Sequence, residues 1–377
     1  MEKQGKKIRL AEIISIIIYV VAFVACGFVV GGMSHVSASE TFMDRFGIAI
    51  VIEIAVIMVA LFLQIVIHEA GHLIFGLLSG YKFFSFRVAN IMLIKEDGKI
   101  KIKSLHLSGT AGQCLMSPPD LVDGKMPFVL YNLGGVILNI IVGIKCIGLA
   151  IFCKNELILA FLLVVAIIGF ALALLNGIPM CLAEVSNDGH NIISIGKSDK
   201  AMRAFWIQLK AAEQMAKGRC LKDMPQEWFF VPTEEEMKNS MIATIGVFKC
   251  NLLIELHMFD EACQLINKFK DMDTAIAGLY HSLLDCDLIF CDLISDNGED
   301  KANKELCKSQ KNFMKAMKGF PAILRTEYAY ALLAEKDVKK AETFKRKFEK
   351  VAKTYPYQGD IECERELLKM TKERASL

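Results

Sequence analysis

Residues 64–74, Gln-Ile-Val-Ile-His-Glu-Ala-Gly-His-Leu-Ile, place two imidazoles and a carboxylate at His68, Glu69 and His72 inside an apolar run. On a helix, residues four apart share a face, so His68 and His72 can offer two nitrogens to one cation. Glu69 is rotated from His68 by about 100° and can reach a water beside that cation. His-Glu-x-x-His on a helix is the ligand-and-base arrangement of a zinc hydrolase. The apolar setting makes it expensive, since an ionisable side chain within a membrane-spanning helix costs about 2.5–3.5 kcal/mol on insertion scales. Three in five positions need a compensating partner, and a metal ion is one.

Such a site needs a third protein ligand. The end of the last apolar run, Asn-Gly-Ile-Pro-Met-Cys-Leu-Ala-Glu-Val-Ser-Asn-Asp-Gly-His-Asn-Ile over 176–192, supplies Glu184, Asp188 and His190. Asp188 is taken as the ligand, Glu184 is its alternative, and His190 reads as a polar residue at the mouth of the site.

The elements that position these groups are apolar. The chain has 377 residues, 54% of them hydrophobic, with a mean hydropathy of +0.39, which points to a membrane protein. Four runs, roughly 9–31, 47–78, 128–152 and 156–176, are each long enough to cross about 30 Å of hydrocarbon at about 1.5 Å per residue. The first follows Lys3, Lys6, Lys7 and Arg9 and exceeds the core of a cleaved signal peptide, so a retained anchor is expected. The N-terminus and the loop from Lys82 to Lys103 are basic, whereas 32–46 holds only Arg45 against Glu40 and Asp44. Both termini are therefore expected in the cytoplasm, which an even number of spans satisfies. With Glu53 at the outer boundary, His68 lies about 22 Å along its helix, in the cytoplasmic third of the bilayer.

Between the second and third runs, apolar and polar residues alternate around Glu96-Asp97-Gly98, predicting a β-hairpin over 83–103. Beyond about 195 the apolar runs stop and amphipathic helical patterns continue to the end. The expected fold is thus an α-helical multi-pass membrane domain over 1–195, with a small membrane-associated hairpin, followed by an all-α cytoplasmic domain over 196–377. Within that second domain, segments starting at 251 and 330 align at an offset of 79 residues, pairing Leu253 with Leu332, Ala262 with Ala341 and Phe269 with Phe348. The offset suggests stacked helix pairs loosely similar to tetratricopeptide repeats, with a plain helical bundle as the alternative. The 44 basic and 42 acidic residues give a net charge of +2, which provides no basis for nucleic-acid binding. Twelve cysteines are scattered without a Cys-x-x-Cys pair and read as reduced thiols, with Cys286 and Cys291 as buried helix positions.

His68-Glu69-Ala70-Gly71-His72, together with Asn176-Gly177-Ile178-Pro179 and the following Asp188-Gly189, resembles the site-2 protease family of intramembrane zinc metalloproteases over roughly 47–195. The resemblance implies zinc held by His68, His72 and Asp188, with Glu69 as the catalytic base. Members commonly place the aspartate eight residues after the Asn, a position held here by Glu184; the Asp188-Gly189 step favours Asp188. Gly135 to Asn139 resembles the family's small-residue-to-Asn pattern, which implies contact of Asn139 with substrate backbone; Asn176 is a further substrate-side candidate. The segment Gly109 to Met116 resembles the family's membrane-associated β region, and the hairpin with it is a candidate edge for docking an extended substrate. The implied function is hydrolysis of a transmembrane protein or peptide near the cytoplasmic face of the lipid bilayer, releasing a regulatory product. The helical domain follows Gly189 directly and is expected to sit over the mouth of the site, as a receptor for substrate or a cytoplasmic protein partner, with a gate as the alternative. The competing readings are a catalytically idle membrane scaffold and a tethered protease acting on soluble proteins. All members of the catalytic set are present, and the apolar run continues past the motif as Leu73 to Gly80.

Overall fold

The computed structural model describes residues 2–33, 42–96, 98–107, 110–181, 186–295 and 306–376. The four apolar runs form helices α1 (Glu2–Met33), α2 (Phe42–Leu78), α3 (Val129–Phe152) and α4 (Glu156–Gly177). Each holds a segment long and apolar enough to cross a membrane: Leu10–Val30, Ile50–Leu78, Val129–Phe152 and Glu156–Gly177. Their outward faces carry large apolar side chains such as Phe28, Val51, Leu78 and Phe152. Helix α3 packs against both α2 and α4, and α1 packs on α4.

The closest approach joins α2 to α3. A Cβ on Gly71 would overlap the Gly134 carbonyl and lie 2.8 Å from the Gly135 Cα. Only paired glycines let the two backbones cross in direct contact, and the crossing falls between His68 and His72.

The segment expected to be one hairpin is a larger antiparallel sheet. Strands β1 (Lys82–Val88), β2 (Ile91–Glu96), β3 (Lys99–Ser104) and β4 (Gly112–Ser117) lie in the order β3-β2-β1-β4. Two turns divide the 82–104 stretch. One includes Gly98, at a φ of 78°, and the other Ala89, at 51°. An alanine in the left-handed region is uncommon, which is why composition alone did not mark that turn. Strand β4 belongs to the Gly109–Met116 stretch and forms an outer edge of the sheet, antiparallel to β1.

The remaining helices are α5 (Asp188–Gly196), α6 (Asp199–Ala216), α7 (Ser240–Glu255), α8 (Phe259–Asp271), α9 (Gly278–Ile294), α10 (Lys308–Ala316), α11 (Pro321–Ala329), α12 (Val338–Ala352) and α13 (Gln358–Arg374), with a π turn over Tyr330–Ala334 prolonging α11. The offset of 79 is visible in the backbone. Helices α7 and α8 form one helix-turn-helix and α11 and α12 another, and the turns carry His257 and Lys336, 79 apart, at φ values of 59° and 54°. Ala262, Ala341, Phe269 and Phe348 are all buried. Within these helices Arg325 is buried, donating to the Asp287 carboxylate at 2.6 Å and lying 3.5 Å from Glu364.

One hydrophobic core runs across residue 195. Tyr81, Met116, Met126 and Tyr131 pack in the same cluster as Ile195, Phe205, Leu209 and Ile242. The tail helices therefore stand directly on the sheet and on the start of α3.

Candidate metal centre

The long α2 places His68 and His72 one turn apart, with both Nε2 atoms turned inward, 3.2 Å from one another. The Asp188 carboxylate meets both, at 3.1 Å from His68 Nε2 and 3.4 Å from His72 Nε2 through the same Oδ2. One ligand atom from each residue falls within 4.8 Å of the other two. Two imidazole nitrogens and a carboxylate oxygen converging in a mostly buried space suit zinc, which takes three such protein ligands in hydrolytic sites. His68, Glu69 and His72 are brought together with Asp188, as the sequence predicts. His190 is not one of the three converging donors, and Glu184 lies outside the described residues.

The other imidazole nitrogens are tied back. His68 Nδ1 is 2.7 Å from Asn139 Oδ1, and His72 Nδ1 is 2.8 Å from the Tyr131 carbonyl. With Nδ1 carrying the hydrogen and donating to each oxygen, both Nε2 lone pairs are free to face a cation. Outer partners of this type fix the tautomer and orientation of metal-binding histidines. The Asn139 side chain is itself held, its Nδ2 donating to the Gln64 carbonyl at 3.0 Å and to Gln64 Oε1 at 2.6 Å, while Gln64 Nε2 donates to the Val165 carbonyl at 2.8 Å. A fully buried chain of polar groups thus runs from α4 through Gln64 and Asn139 to the ring of His68. Asn139, a candidate for substrate contact, lies against the His68 ring.

Asp188 depends on the break between α4 and α5. Asn187 precedes it and caps α5, its Oδ1 accepting from His190 N at 3.0 Å and from Met180 N at 2.9 Å. Its Nδ2 donates to the carbonyls of Leu175 and Ile178 at 2.7 and 2.5 Å. One amide side chain therefore stitches the end of α4, the Pro179 bend and the first turn of α5. Gly189 completes the fit, because a Cβ there would overlap the Gly177 carbonyl. Asn176, by contrast, donates back to the Leu172 carbonyl at 3.0 Å within its own helix.

Glu69 is buried at 7% exposure. Its carboxyl rests on the first residue of β4, where a Cβ on Gly112 would lie 2.7 Å from Glu69 Cδ. Arg87 fixes that contact from β1, donating to the Gly112 carbonyl at 3.1 Å, to Thr110 Oγ1 at 2.6 Å and to the Ala89 carbonyl at 2.7 Å.

Sequence reasoning missed Gln64, Tyr131, Asn187 and Gly112. Gln64 had a signal, being a polar residue one turn before His68 in an apolar run, and Asn187 had the N-cap preference of Asn before Asp-Gly. Tyr131 acts through its backbone carbonyl and Gly112 through its lack of a side chain, and neither leaves a local mark. Comparison of the chain with protein-family models, curated proteins and solved structures finds no match.

Proposed function

We propose that this chain is an intramembrane zinc endopeptidase similar to the site-2 proteases, a multi-pass protein of the cell membrane with both termini in the cytoplasm. The observation that carries the reading is the meeting of His68, His72 and Asp188 beside Glu69, built from helices long and apolar enough to span a bilayer. Their exposed apolar faces would be costly in water and are matched by lipid.

His68, His72 and Asp188 would hold the zinc, which when bound would supply Lewis acidity for hydrolysis. Glu69 takes the proton that the attacking water loses, and returns it to the leaving amine as the C–N bond breaks. Asn139 and the Tyr131 carbonyl keep the two imidazoles from turning as charge develops. The substrate must offer an extended backbone, because a helix hides its carbonyls in internal hydrogen bonds. Strand β4 suits that need: it is an outer strand of the sheet, and its first residue touches the catalytic carboxylate. A strand added there brings a transmembrane protein or peptide substrate to Glu69 by main-chain pairing. The helical half, read as a tetratricopeptide-like stack, supplies a surface for a cytoplasmic partner or for the soluble part of the substrate.

The test is Glu69→Gln. The variant keeps its zinc while proteolysis falls by at least about 10²-fold, the scale of a general base, so that regulatory products vanish from the soluble fraction of cells and their precursors accumulate in membranes. Undiminished product release by Glu69→Gln refutes the mechanism and leaves the idle-scaffold reading in its place.

A further inference from the structure

A second group of metal-ligating atoms lies far from His68 in sequence, in the helical half. Cys220 precedes the short 3₁₀ turn Leu221–Asp223, Glu255 ends α7, and Cys363 lies one turn into α13. One atom from each, two sulfurs and a carboxylate oxygen, lies within 4.8 Å of the other two. Both cysteines are buried, at 8% and 7% exposure.

Three separate segments are drawn together on purpose-built contacts. Gly359, one turn before Cys363, packs so tightly on the preceding segment that a Cβ would overlap the Arg219 carbonyl. Cys220 therefore faces the turn of α13 that bears Cys363, and its Sγ is 3.5 Å from the Gly359 carbonyl. Glu255 is aimed by the 3₁₀ turn, accepting from Lys222 N at 2.9 Å.

The surroundings are rich in carboxyl groups. Asp360 and Glu364, on the same helix as Cys363, are largely buried close to Glu255. Lys222, paired with Glu366 at 2.9 Å, and Arg325, paired with Asp287 and Glu364, are the cations nearby.

We propose that Cys220, Glu255 and Cys363 form a structural zinc site that staples the C-terminal helix to the root of the helical half. Two thiolates with one carboxylate suit zinc and not magnesium or calcium, which prefer oxygen alone. Tetrahedral zinc with sulfur at about 2.3 Å holds two sulfurs roughly 3.8 Å apart, within the span already present. The Gly359 carbonyl or a water completes four ligands. Binding releases the two thiol protons to solvent, and no redox change occurs.

The probe is cobalt(II), whose thiolate charge-transfer absorption in the near ultraviolet reports sulfur ligands and not a histidine-carboxylate set. Full-length His68→Ala, His72→Ala protein, purified under reducing conditions and loaded with cobalt, shows the band at one metal per chain. Adding Cys220→Ser and Cys363→Ser abolishes it. Zinc content falls from two per chain to one in either double variant and to none when the two are combined. Because the first measurement needs no cysteine change, misfolding of the serine variants does not obscure it. Absence of the band in the histidine variant overturns the proposal, as does its persistence after both cysteines are replaced. The band does not depend on the His68 centre, so failure of that centre reads separately, as one zinc in the unaltered chain carrying a sulfur signature.

Discussion

Replacing Gly135 with alanine tests whether the histidine pair is as rigidly framed as the geometry implies. The new Cβ would lie 2.4 Å from His68 Cε1 and 2.5 Å from Nε2, whereas ordinary contact begins at 3.4 Å, so the ring must yield by about 1 Å. It has little freedom to do so. Nδ1 is held at 2.7 Å by Asn139, and the backbone of α2 is pinned against Gly134 where the helices cross. Metal-ligand distances tolerate only about ±0.2 Å, so a displacement several times larger removes His68 from the ligand set. Zinc affinity should therefore fall by at least the roughly 10–100-fold that outer-shell changes cause. Gly148→Ala on the same helix is the control, because a Cβ there meets nothing within 4 Å. Competition of the purified variants against a chelating dye measures both. Equal zinc affinity for Gly135→Ala and the unaltered chain would refute the assignment of His68 as a ligand framed by α3.

Asn139→Ala should weaken zinc binding by about 10–100-fold while leaving the helices folded, since it frees the His68 ring without adding bulk; a change confined to KM, with full metal retention, would return Asn139 to a substrate role. Arg325→Ala leaves the buried Asp287 and Glu364 carboxyls without their cation and should destabilise the helical half by about 3–5 kcal/mol, read as a shift in a urea melt; a shift under about 1 kcal/mol means those carboxyls are already neutral. Burial pushes the Glu327 carboxyl up to about 7 from an ordinary 4.5, against the pull of Lys347 and Lys340. The folded group keeps its proton where the unfolded one has lost it, so its contribution to stability is full below 4.5 and is lost as pH rises towards 7. Glu327→Gln should flatten that part of the profile, and an unchanged slope in thermal melts from pH 4.5 to 7 removes Glu327 as its cause.

The apolar helices were legible because length and hydropathy are properties of a contiguous run: α3 and α4 begin and end within a residue or so of the expected limits. His68, Glu69 and His72 were legible because one helix carries all three at a spacing that decides their faces. Asp188 needed more, since its place depends on Asn187 bridging Leu175, Ile178 and Met180, contacts that span the Pro179 bend. The extent of the sheet was hidden by a turn at Ala89, whose left-handed backbone is stabilised from outside by Arg87 reaching the Ala89 carbonyl. Asn139 was located, but its contact with the His68 ring was not, because a polar residue facing the centre of a helix bundle looks the same whether it awaits a substrate or holds a ring.

Tyr131 belongs to three structures at once. Its carbonyl meets His72, its hydroxyl donates to the Cys114 carbonyl of β4 at 2.7 Å, and its ring stacks on Tyr81 at 4.6 Å with Phe205 of α6 alongside at 6.3 Å. During synthesis these neighbours emerge in sequence: the histidines first, then β4, then Tyr131, then Asp188, and Phe205 last. A nascent chain that has made all four apolar helices still lacks the final wall around this tyrosine until α6 leaves the ribosome. The frame behind His72 is therefore complete only once residues beyond 195 have been made, so the apolar half of the chain does not by itself supply every wall of the His68, His72 and Asp188 cluster.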